Sequence, residues 1–274
     1  MAALDSEQHL WAHFYFLEPT YSRSICTGLL SSLRSCAPEW CRHLAVHDTE
    51  DDRRPLVLGD LPLLQALEMK SPPLHGLGSW VLRGTYPGLF LYLHSSRSTH
   101  SPSLNSVALE LVSIAEIEGQ PVATWLRAFF RALVDSSPIT YGNARCACEY
   151  AHSNLDQGNG SVRAIGTNFH NSLPGLYWLN HFGPEYVELI GCDRLLTSPA
   201  AATDVHQSSV TLLLAESPSG WNTRDYTNRR DAVLDHLGRR FFFDRRGPAG
   251  SRSAPDFYAL ARQRRGRQSN SHQS

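Results

Sequence analysis

The sequence predicts an α+β protein: an antiparallel sheet, or sheets, with helices packed on one face. Strand-like segments fall in adjacent pairs, as at residues 79–86 and 89–94 around Pro87-Gly88, a dipeptide suited to a tight turn. Helical segments interrupt these pairs without the strict strand-helix alternation of a wound parallel sheet. A hydrophobic fraction of 42% and a charged fraction of 19% over 274 residues are ordinary for a chain with a packed core. At this length no disulfide or metal staple is needed.

The elements follow in order. Residues 9–18 are rich in aromatic side chains and end at Pro19, reading as a buried strand stopped where a backbone donor is lost. Ile25, Leu29, Leu30 and Leu33 recur at helical spacing over 22–33. A second strand is expected at 42–47, a polar turn at 48–54, and a short helix at 61–69 stopped by Pro72 and Pro73. After the 79–94 hairpin comes a strand at 106–114. The strongest helix covers 122–134, with Trp125, Leu126, Phe129, Phe130 and Leu133 on one face.

Beyond Tyr141 the pattern loosens, then tightens over 175–191. A strand is expected at 176–182, with alternation placing Tyr177, Leu179 and His181 on one side and Trp178, Asn180 and Phe182 on the other. Gly183 turns the chain, and Pro184 with Glu185 behind it opens a helix to about Leu196, because proline loses nothing at a first helical position and an acid suits the positive end. A strand at 209–215, a helix at 224–237 and a short last strand at 241–243 complete a domain spanning 1–244. A division into two lobes near 136–165 stays open. Residues 245–274 read as a flexible basic tail.

Formal net charge is −1, yet residues 1–240 hold 18 basic and 24 acidic groups and residues 241–274 hold seven and two. A mildly acidic body lacks the basic face of a nucleic-acid binder and suits a basic partner. Asp5 and Glu7 stand where a secretory signal carries positive charge, and no run approaches the ~18 apolar residues of a membrane span. A cytoplasmic protein without a membrane partner is expected. Lys70 is the only lysine among 25 basic residues, a skew that fits a GC-rich bacterial coding sequence.

No motif for chemistry is complete. Cys146, Cys148 and His152, with Glu149 nearby, offer thiolate and imidazole to a metal, but structural zinc sites space two cysteines two to four residues apart and need a second pair. Cys41, His43 and His47 fit less well, and His9 and His13 share one face of a strand with no acidic third ligand. The loop 157–161 lacks the lysine of a phosphate loop, and nucleophile elbows are absent. Glu185 and Glu188 share a helical face as first-turn charges. Arg262, Arg264, Arg265 and Arg267 have the charge of a nucleic-acid arm without the interleaved aromatics. No cofactor, metal or catalytic residue is assigned.

Two groups stand out as partner contacts. Asp48, Glu50, Asp51 and Asp52 form an acidic turn, partly neutralised by Arg53 and Arg54, that could dock a basic partner. Tyr177, Trp178, Asn180 and His181 combine the residue types that binding surfaces favour, against the ordinary reading of aromatic packing.

The segment 175–191 (GLYWLNHFGPEYVELIG) and the ending in which Phe242, Phe243 and Asp244 precede Ala254, Pro255, Asp256 and Phe257 resemble bacterial proteins of the immunity protein 52 type. The resemblance covers roughly residues 104–257. It implies an α+β immunity protein of polymorphic toxin and type VI secretion systems, which binds and inhibits a cognate toxin of the nuclease kind. The alternative is an enzyme with a site dispersed over Cys146, Cys148, His152 and His181.

Overall fold

The computed structural model describes residues 9–47, 55–59, 61–70, 78–86, 88–95, 104–156, 161–245, 253–257 and 259–260. The first half comprises β1 (His9–Phe16), α1 (Arg23–Cys36), α2 (Pro38–Cys41), β2 (Ala45–His47), β3 (Leu56–Val57), α3 (Leu63–Lys70), β4 (Gly78–Arg83), β5 (Leu89–Ser95), β6 (Asn105–Val112), β7 (Glu116–Ile117), β8 (Gln120–Pro121) and α4 (Val122–Ser136). The second comprises β9 (Tyr141–Cys146), α5 (Ala147–Asn154), β10 (Leu155–Asp156), β11 (Arg163–Ala164), β12 (Leu179–Phe182), α6 (Pro184–Ile190), α7 (Cys192–Leu196), β13 (Ala202–His206), β14 (Ser209–Leu213) and α8 (Arg224–Leu237). Ten strands form one antiparallel sheet in the order β13-β14-β12-β9-β1-β6-β5-β4-β2-β3. The α+β class and the antiparallel sheet stand as expected.

Register sorts the side chains into two faces. Leu10, Ala12, Phe14 and Phe16 of β1 point to one side, with Leu109 and Val107 of β6 and Ala144 of β9 beside them, and α1, α3 and α4 cover that side. Tyr141, Phe182, Val210 and Leu212 point to the other side, where α6, α7 and α8 pack with Tyr186, Ile190, Leu195, Tyr226, Val233 and Leu237. Helices therefore lie on one face of each half, and the two halves use opposite faces.

Local chemistry explains the main elements. Ser22 caps α1 by accepting from the Ile25 amide, and Thr223 caps α8 by accepting from the Tyr226 amide. Trp125, Leu126, Phe129, Phe130 and Leu133 of α4 are all buried, and such side chains each stabilise by about 1.5–3 kcal/mol. The Trp125 indole donates to the Cys36 carbonyl at 2.6 Å, which ties α4 to the end of α1. A Cβ on Gly28 would lie 2.3 Å from Ser137 Oγ and 2.6 Å from the Ser136 carbonyl, so α1 approaches the end of α4 only because that side chain is missing.

Several expectations change. The strand at 42–47 shrinks to β2, because Pro38 starts α2 as an N1 residue. The helix expected from Pro184 to Leu196 breaks into α6 and α7 at Gly191, whose φ of 103° leaves the helical region. In place of a last strand, residues 239–241 make a 3-10 turn and Phe242 only bridges to Leu173. The tail does not begin at 245: Phe257 is fully buried against Tyr186 and His170, and Leu260 packs on the same core. Residues 246–252 and 261–274, with the arginines at 262, 264, 265 and 267, lie outside the described residues.

Candidate partner-binding face

In the first half, no described helix or strand covers β4, β5 and β6 on the side of the sheet opposite α1, α3 and α4, here termed the open face, where most side chains are half-buried and Val81 is buried. The β1 sequence alternates so that His9, Trp11, His13 and Tyr15 fall on this side, all half-buried, while the residues between them are core. Pairing then lines up one row across five strands: Arg145 of β9, Trp11, Glu110, Phe90 and Arg83. The next row holds Asn143, His13, Ala108 and Tyr92.

These side chains hold one another in place. Trp11 stacks on Tyr92 with centroids 6.0 Å apart and a 22° interplanar angle, and meets His13 edge-on at 5.6 Å. Glu110 accepts from Tyr92 Oη at 2.7 Å and bonds His9 Nε2 at 2.7 Å. Arg83 lies over the Phe90 ring at 4.9 Å and makes no ion pair among the described residues. The patch thus offers rigid rings, one carboxylate already engaged twice, and a cation with no acid beside it. Ordered aromatic anchors of this kind lose little conformational entropy on contact and dominate protein interfaces.

Where the open face meets the covered half, the polar groups go inside. Arg145 is 4% exposed and Asn143 fully buried. The guanidinium donates through Nη1 to Asn143 Oδ1 and lies over the rings of Tyr150 and Tyr177 at 4.3 and 4.9 Å. His13 Nδ1 bonds Tyr15 Oη at 3.1 Å. Burial, with Arg145 adding to it, holds the His13 pKa well below that of free imidazole, so the ring is neutral. Burial also pushes the Tyr15 hydroxyl up to about 12.

The residues singled out in the sequence sit elsewhere. Asp48, Glu50, Asp51 and Asp52 lie outside the described residues. Tyr177, Trp178, Asn180 and His181 are interior, none more than 1% exposed, and their polar groups are used within the chain. Tyr177 Oη donates to Asn154 Oδ1 at 2.6 Å, the Trp178 indole to the Ala215 carbonyl at 2.8 Å, and Asn180 Nδ2 to the Tyr177 carbonyl at 2.7 Å. His181 Nδ1 bonds Thr211 Oγ1 at 2.9 Å, and burial lowers its pKa to about 3. These four side chains are packing residues and present no surface in this chain, a correction to their reading as contacts. The signal in the sequence for the face that carries Trp11 is the β1 alternation, which places aromatic and imidazole groups on the side away from Leu10, Ala12 and Phe14.

The residues of the enzyme alternative do not converge. Cys146 ends β9 and its thiol donates to the Pro218 carbonyl at 3.0 Å, while Cys148 lies one turn before His152 in α5, not on a strand beside Cys146. His152 stacks near Trp221 at 5.8 Å, on the wall of a cleft of about 850 Å³ between α5 and α8. Among the described residues no three His, Cys, Asp or Glu side chains are grouped to hold a metal ion.

No family model and no curated protein matches the chain. Among solved structures it is similar to a Pseudomonas aeruginosa T6SS protein, PA0821, at 12% identity, with 82% of this chain and 72% of that chain covered and a TM-score of 0.49.

Proposed function

We propose that this protein acts by binding a protein partner through the open sheet face, as an immunity-type protein that occludes a cognate toxin, and not by catalysis. The observation that carries the reading is the cluster of half-buried rings, Trp11 and Phe90 in one row of the sheet and Tyr92 in the next, over which no described helix packs. Charge narrows the partner. Among the described residues Arg83 and Arg145 have no carboxylate in contact, and Glu110 is already bonded by His9 and Tyr92, so the complementary patch is apolar with acidic side chains. This reverses the expectation of a basic partner drawn from net charge, because the local face and not the whole chain meets the partner. The toxin class, its nuclease activity and a place in type VI secretion rest on the sequence resemblance alone.

Among the described residues no helix is long and apolar enough to cross a membrane. The test is co-expression with each neighbouring open reading frame, followed by tagged pull-down and a growth assay. Capture of a toxic neighbour with rescued growth is the expected result. Failure to capture or protect against any neighbour overturns the reading.

A further inference from the structure

The border of the open face carries a buried cation that makes no ion pair among the described residues. The cation is Arg145, whose Nε also lacks a hydrogen-bond partner among them. Two further buried nitrogens lack partners, Asn143 Nδ2 and His13 Nε2. All three belong to one place: His13 faces Asn143 directly across the β1-β9 ladder, and Arg145 is two residues along the same face. Arg145 Nε is a donor, and because Asn143 Oδ1 is taken by Arg145, the amide nitrogen of Asn143 is the free end and a second donor. In the tautomer whose Nδ1 accepts from the Tyr15 hydroxyl, the His13 ring proton lies on Nε2 and makes a third.

A buried, uncompensated guanidinium beside two unsatisfied donors is costly, and native interiors rarely tolerate one such group, let alone three together. The buried carboxyl of Glu149 feels the charge of Arg145 but does not pair with it. It accepts instead from Tyr226 Oη at 2.6 Å. The rings of Tyr150 and Tyr177 wall the guanidinium in, and half-buried Trp11, His13 and Tyr15 lie beside it on the side of the open face.

We propose that Arg145, Asn143 and His13 form a receptor for a carboxylate. Arg145 supplies the charge, and the Asn143 amide and His13 Nε2–H complete the coordination of the two oxygens. The carboxylate comes either from a free small acid or from an acidic side chain of a docked protein. The inference stands apart from the proposed function, because the isolated chain should bind acetate whether or not a partner exists.

The test follows the Arg145 Nε–H resonance by NMR in the full chain during titration with sodium acetate, with ionic strength held by sodium chloride. A saturable shift is expected, weakened about ten-fold or more by Asn143→Ala and also by His13→Gln, both of which keep the guanidinium. No saturable shift, or an unchanged one in both variants, overturns the receptor and leaves ordered water as the occupant. Where a captured partner is present, loss of the acetate response assigns the site to the partner's carboxylate, and a retained response assigns it to a free acid.

Discussion

Strands β1 and β9 lie side by side in one sheet, yet they meet opposite fates. In β1 every second residue is core and the rest, including Trp11, are half-buried on the open face. In β9 all six residues are buried, although their sequence, YGNARC, is the more polar. The difference comes from what covers them. Both see α4 on one side, where a Cβ on Gly142 would come within 2.7 Å of the Phe130 ring, but on the other side β9 is roofed along its length while β1 reaches the second core only at Tyr15. Aromatic residues on a strand thus stay half-buried on an open face in one half and are packed inside in the other, and residue type alone does not separate them.

The comparison makes predictions that descend in size. Trp178, fully buried with its indole bonded, should cost about 3–5 kcal/mol of stability on Trp178→Ala, whereas Trp11→Ala should cost about 1 kcal/mol or less; urea unfolding of the two variants decides this. Equal losses would mean that the open face is part of the core.

A second contrast lies in the titration of the closed half. Burial pushes the Glu149 carboxyl up from 4.5 to about 7, against the pull of the Tyr226 hydroxyl, Arg230 and Arg145. The unfolded chain releases this proton near 4.5 and the folded chain keeps it until about 7, so the group's contribution is greatest below the lower value and is lost as pH rises through the higher one. The change is on the order of 3 kcal/mol. Glu149→Gln, which keeps an acceptor for Tyr226, should be increasingly more stable than the parent as pH rises from 4.5 to 7 and should hold a constant advantage above that. Parallel curves would place Glu149 in contact with water.

The sequence made the covered side of the first half legible, because α1, α3, α4 and β4 to β6 carry ordinary periodicity in Leu, Trp and Phe. It hid β9, since Asn143 and Arg145 are buried through tertiary contacts that no window of polar residues announces. It also hid the break at Gly191, where the apolar spacing runs on through a residue whose backbone does not. The candidate site was half legible. His9 and His13 were recognisable as sharing one strand face, but which face is open depends on where α4 and α8 come to rest.

Docking of the partner on the open face is tested by the affinity of the captured partner for three forms of the protein. Trp11→Ala should weaken binding by about 2 kcal/mol or more, roughly 30-fold, with the near-ultraviolet spectrum still that of a folded protein. Met69→Ala, at an exposed position on α3 behind the opposite face, should bind like the parent. A Trp11 variant that binds as tightly as the parent, or a Met69 variant that does not, would contradict the claim.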